Sequence, residues 1–139
     1  MILSKKTRYA MVALARLARD YGKGPVQIRE ISEKESIPRS FLENILLELR
    51  KMGVLGSQLG KSGGYYLLRK PNEVNLAEII DHFEGTLSLL YCVSEKAYRP
   101  CEFCKDETTC QIRKVFKEIL ANTNSILQKA TLETLIKCQ

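Results

Sequence analysis

The 139-residue chain predicts a mainly α-helical fold with one small β-hairpin and a long C-terminal helix. Three observations carry this expectation. Apolar residues recur at helical spacing up to Gly53, two short apolar runs then flank a Gly-rich turn, and a near-heptad stripe runs through the C-terminal region. A composition of 45% hydrophobic and 27% charged residues is that of a globular protein, and the length suits one domain with an accessory helix or two.

Each element has its own signal. Between Ser4 and Tyr21, residues Ala10, Leu14, Leu17, Ala18 and Tyr21 share one helical face, which Gly22 and Gly24 end. Past Pro25, a short second helix points Ile28 and Ile31 inward and breaks at Ser36. Pro38 suits the first turn of a third helix, where Phe41, Leu42, Ile45, Leu46, Leu49 and Met52 form a stripe to be buried and Gly53 is placed as the stop. Val54 to Leu59 and Tyr65 to Leu68, around Gly60-Lys61-Ser62-Gly63-Gly64, read as a hairpin closed by Pro71. Asn75 can cap a fourth helix through Leu76, Ile79, Ile80 and Phe83, with Gly85 at its end.

Residues 85–107 are aperiodic and hold three of the five cysteines. Thr108 and Gln111 match a capping box, which starts the last helix at Thr108. Beyond it Ile112, Phe116, Ile119, Thr123, Ile126 and Ala130 alternate at four and three, with Val115 and Leu127 widening the stripe. That is more apolar face than one small domain needs, and it predicts a homodimer; packing on its own domain is the alternative. The expected organisation is a helical and hairpin domain over 1–84, a cysteine-rich loop over 85–107, and a dimerisation helix with its tail over 108–139.

The net charge of +6 is unevenly placed. Residues 1–75 carry 14 Lys and Arg against 7 Asp and Glu, whereas residues 76–139 carry 8 against 9. A basic half of this kind suits a polyanion partner, whose binding releases counterions. No stretch has the apolar length of a membrane span, and Arg16 and Arg19 interrupt any signal-peptide core, so a cytoplasmic protein is expected. In that reducing setting, five cysteines point to ligands or redox groups rather than a disulfide framework.

Helix, short helix, tight turn, helix and Gly-tipped hairpin is the order of a winged helix-turn-helix. The expected partner is double-stranded DNA carrying an operator. The stripe of the third helix leaves Arg39, Ser40, Glu43 and Arg50 on its outer face. Arg39 can pair with guanine, Glu43 can accept from cytosine and Ser40 can serve either role, while Arg50 is better placed for a phosphate. At the hairpin tip, Lys61, Ser62 and Gly63 bring an ammonium, a hydroxyl and bare backbone close to the sugar-phosphate chain, flanked by Arg69 and Lys70. Gly60-Lys61-Ser62 is not a nucleotide-binding loop, because the preceding glycine spacing is wrong and a strand follows where a helix is required.

Cys92, Cys101, Cys104 and Cys110 follow C-x8-C-x2-C-x5-C, and Cys110 falls near the start of the last helix, where the dipole favours a thiolate. Four thiolates suit tetrahedral zinc or an iron-sulfur cluster equally well. Cys101-Glu102-Phe103-Cys104 is also the C-x-x-C of thiol oxidoreductases, but the βαβ unit that accompanies such chemistry is absent, so no enzyme is expected. Cys138 is expected to be an ordinary thiol, and His82, the single histidine, a surface or packing residue.

Lys6 to Ala10, Ile37 to Leu49, Gly60 to Tyr65 with Leu67-Leu68, and the late cysteines before a long helix together resemble the Rrf-two family of bacterial transcription regulators. That family includes iron-sulfur cluster regulators, nitric-oxide-sensing repressors and cysteine-metabolism repressors. The resemblance implies a winged-helix homodimer with its third helix in the major groove. It also implies a 2Fe-2S or 4Fe-4S cluster on Cys92, Cys104 and Cys110. Two departures stand out: Arg113 occupies a place where some relatives carry a ligand His, and Arg8 one where others use an acidic ligand. Cys101 is an additional thiol, the first candidate for a fourth ligand. Leu59 stands where cluster-binding relatives are often basic. The alternative is a winged-helix repressor with structural zinc or no metal, governed by a partner protein or metabolite.

Overall fold

The computed structural model describes residues 2–137, so Cys138 lies outside the described residues. Helix α1 (Lys5–Arg19) begins where Ser4 accepts a hydrogen bond from the Thr7 backbone N–H at 3.2 Å. Helix α2 (Ile28–Glu35) ends at Ser36, which takes the left-handed conformation at φ 54°. There the Ser32 hydroxyl donates to the Ile37 carbonyl at 2.7 Å, fixing the turn, and Ile37 is buried. Pro38 then forms the N-cap of α3 (Arg39–Lys51).

The hairpin pairs β1 (Leu55–Gln58) with β2 (Gly64–Leu67) antiparallel, with Leu55 opposite Leu67 and Gln58 opposite Gly64. Helix α4 (Leu76–Glu84) is capped as expected, since the Asn75 side chain accepts from the Glu78 N–H at 3.0 Å. A short 3-10 turn, Tyr91–Val93, interrupts the loop that leads to α5 (Gln111–Lys129). One core gathers Leu14 and Leu17 of α1, Ile31 of α2, Leu42, Ile45, Leu46 and Leu49 of α3, Leu55 of β1 and Ile79 of α4.

Four details differ from the sequence expectation, the first being that α1 ends at Arg19 and leaves Tyr21 beyond it, 42% exposed. Phe41 is 46% exposed, because it stands in the first turn of α3 at the rim of the core, where its ring and that of Tyr9 meet in a T-shaped contact with centroids 5.9 Å apart. Thr108 does not cap α5, since Asp106 Oδ1 accepts from both its N–H at 3.0 Å and its hydroxyl at 2.8 Å and holds it in the preceding turn. The cap is Cys110, whose Sγ accepts from the Arg113 N–H at 3.4 Å. Finally, the C-terminal tail forms a further helix, α6 (Leu132–Lys137), that returns to α1. Its entry is fixed by Leu76 N–H donating to the Ala130 carbonyl at 3.0 Å and Leu132 N–H to the Val74 carbonyl at 2.9 Å, and Leu132 is fully buried.

Candidate nucleic-acid interface and cysteine pocket

Burying Leu42, Ile45, Leu46 and Leu49 leaves Arg39, Ser40, Glu43 and Arg50 exposed on α3. Across one helical turn Arg39 Nε and Glu43 Oε1 lie 3.5 Å apart as an exposed ion pair. Such pairs contribute at most about 1 kcal/mol, so the two side chains can separate at little cost.

The hairpin is fastened to the segment ahead of α2. Val26 and Tyr65 exchange two backbone hydrogen bonds at 2.8 Å, and Gln27 Nε2 donates to the Lys61 carbonyl at 2.7 Å. Gly64, at φ 152°, allows this approach, since a Cβ there would sit 2.3 Å from the Val26 carbonyl oxygen. Lys61 and Ser62 are exposed. Gly63, in contrast, is buried under the turn, with the Gln58 carbonyl oxygen 2.0 Å from where its Cβ would be. Its part is to shape the tip, not to present a surface. Arg69 is likewise structural: NH1 and NH2 engage the Glu78 carboxylate at 2.5 and 3.2 Å, tying the end of the hairpin to α4.

The four cysteines line one cavity of about 130 Å³ with Leu90, Phe103, Ile112, Glu107 and Arg113 around them. Cys92 is buried, Cys104 and Cys110 half-buried and Cys101 exposed, all as free thiols. The Cys104 thiol is pushed up from its ordinary pKa, first by desolvation and further by the adjacent Cys110 and Cys101, against a backbone hydrogen bond from Asp106. These influences favour the thiol over the thiolate, and a metal ion opposes that preference by its own charge. Among the described residues no three Cys, His, Asp or Glu side chains are drawn tightly enough to hold a metal ion. The donor set nevertheless fits a thiolate-bound centre, with four sulfurs on one largely apolar cavity and one of them at the N-cap of a long helix, where backbone N–H groups favour negative charge.

Sequence reasoning named Arg113 only as a departure from relatives and did not foresee the contacts that hold this loop. Arg113 Nε donates to the Cys92 carbonyl at 3.2 Å, and Arg113 NH2 lies 3.9 Å from Glu107. The Tyr98 hydroxyl donates to the same Glu107 carboxylate, and the Arg99 guanidinium stacks over the Tyr91 ring at 4.8 Å. One signal was available: a cation in the first turn of a helix opposes the dipole, so Arg113 needs partners to hold it there.

A helix-turn-helix with a polar outer face on its second helix, beside a fastened basic hairpin, defines a winged-helix DNA-binding regulator. The chain belongs to the Rrf2 family, whose family model, described as an iron-dependent transcriptional regulator, matches residues 3–138. It is 40% identical to an rrf2-like HTH-type transcriptional regulator of Rhodobacter capsulatus, over 97% of this chain and 92% of that one. It is 31% identical to the HTH-type transcriptional regulator IscR of Xenorhabdus nematophila, over 100% of this chain and 81% of the relative. The structure of CymR, the global cysteine regulator of B. subtilis, superposes with a TM-score of 0.83 at 25% identity, covering 100% of this chain and 98% of that one. These relatives are transcription regulators, not enzymes. Among the described residues no helix is long and apolar enough to cross a membrane.

Proposed function

We propose that the protein is a cytoplasmic, homodimeric regulator that binds a DNA operator and adjusts its grip through an iron-sulfur cluster held by Cys92, Cys104 and Cys110, with Cys101 as the fourth thiolate. The observation that carries this reading is that all four sulfurs border one cavity at the start of α5. Arg39, Ser40 and Glu43 read base edges, while Arg50, Lys61 and Ser62 contact phosphates and sugars. The exposed apolar face of α5, with Ile112 at 66% and Ile126 at 69% exposure, is the surface a second copy covers.

When bound, the cluster would supply a redox- and nitric-oxide-sensitive centre. Cys92, Cys101, Cys104 and Cys110 would hold it across the loop between α4 and α5, and the seat of α5 sets the spacing of the two recognition helices. Such coupling requires a different interaction with each arrangement of the dimer. The likeness to CymR favours a second reading, a winged-helix repressor without a cluster that answers to a metabolite or partner protein. Anaerobic purification with iron, sulfide and zinc analysis separates the two, followed by operator affinity of loaded and stripped protein. Iron and acid-labile sulfide, with a change in operator affinity on stripping, are expected. Zinc without sulfide, or no metal, overturns the cluster.

A further inference from the structure

We propose that Leu59 determines sequence preference, as an apolar contact that the wing carries into the minor groove beside the operator half-site. This rests on the DNA-binding reading above and adds to it a residue that forms no hydrogen bond.

Leu59 is 95% exposed as the first residue after β1, while Leu55, four positions earlier, is buried. A single exposed leucine is ordinary on a protein surface. What sets Leu59 apart is how it is held. The Gln58–Gly64 pair closes the strands on one side of it, the Gly63 N–H bonds the Gly60 carbonyl at 3.1 Å on the other, and Gln27 clamps the Lys61 carbonyl. With the hairpin also bonded to Val26, the tip is fixed relative to α2 and α3, and Leu59 projects into solvent on the wing that carries Lys61.

These two residues divide the work by chemistry. The Lys61 ammonium attracts phosphates of any sequence and releases counterions. The minor groove offers a degenerate hydrogen-bond pattern, so a polar tip residue would gain little discrimination there. An apolar side chain acts otherwise: pressed against a base step, it partly unstacks the step, and the cost depends on which step it is. Pyrimidine–purine steps deform most easily, so Leu59 favours TA or CA/TG at the position under the wing.

The test uses the full-length protein as purified, with duplexes enriched from a random pool by the wild type, by L59A and by L59R. The wild type should enrich a pyrimidine–purine step at a fixed distance from the half-site. Exchanging that step for GC should weaken wild-type binding on the order of tenfold. L59A should bind both duplexes equally with an unchanged salt slope, since no phosphate contact is lost. L59R should steepen the salt slope by about one. If L59A keeps the wild-type flank preference, or the wild type enriches a half-site with no flanking step, Leu59 has no such role. If the wild type enriches no sequence at all while all variants bind every duplex alike, the operator-reading proposal itself falls.

Discussion

Arg113 and Cys92, twenty-one positions apart, are joined by a hydrogen bond from the Arg113 Nε to the Cys92 carbonyl at 3.2 Å. Because the Arg113 N–H also donates to the Cys110 sulfur at 3.4 Å, one residue of α5 holds both ends of the cysteine loop. Arg113→Ala should therefore weaken binding of a thiol-seeking probe ion, Co(II), on the order of tenfold, the usual effect of losing an outer-shell partner. Competition against a chelating dye measures this. An unchanged affinity would show that the loop needs no such fastening.

The cysteines should separate by role. Cys104→Ser is expected to abolish assembly of a sulfide-containing centre. Cys101→Ser should leave iron bound but alter its absorption spectrum and shorten its lifetime in air. Iron and sulfide contents with visible spectra of anaerobically prepared variants decide the matter, and a Cys101→Ser protein indistinguishable from wild type removes Cys101 from the ligand set.

On the DNA face, Arg39→Ala should relax discrimination at one operator position by about 1–3 kcal/mol, freeing Glu43 from its partner at the same time. Lys61→Ala should weaken all duplexes alike and reduce the salt slope by about one. Binding isotherms at several salt concentrations, on operator and scrambled duplexes, distinguish the two effects.

Glu84 gives the fold a pH dependence. Its carboxylate accepts from the Thr7 hydroxyl at 2.6 Å and the Ser4 N–H at 2.8 Å, which hold its pKa below the ordinary carboxylate value, the hydroxyl contributing most. The stabilisation is complete above the unfolded-state value of about 4.3 and is lost as the pH falls through the lower folded-state value. Glu84→Gln should lower the urea midpoint at pH 7 and flatten its decline on acidification. Parallel decline in both proteins would mean other groups govern the acid limb.

Leu132 ties α6 into the core, so Leu132→Ala should destabilise the protein by roughly 2–5 kcal/mol in equilibrium denaturation. A substitution at exposed Ile126 should cost far less in the monomer and act instead on self-association, which sedimentation reads separately.

The first four helices and the hairpin were legible because periodic burial, Asn75 and the Gly-rich turn all announce themselves over short windows. The start of α5 was not, because Thr108 and Cys110 both precede the helix plausibly and the choice is made by Asp106. The α3 outer face was readable from its stripe, whereas the buried place of Gly63 depends on the path of Gln58 across the turn. The four cysteines could be counted, but Arg113, Glu107 and Tyr98 come together only through the folded loop. Helix α6 was missed for the same reason: six residues carry little periodicity, and their position is set by Val74 and Ala130.

That last connection bears on how the protein is made. The wall of the core supplied by Leu132 leaves the ribosome after all the α3 and wing residues have been synthesised. A nascent chain stalled between the end of the wing and Leu132 carries the exposed face of α3 on a scaffold that is still open at one side. The core is closed only once Leu132 has been made, so a chain that stops short of it lacks one wall of its core.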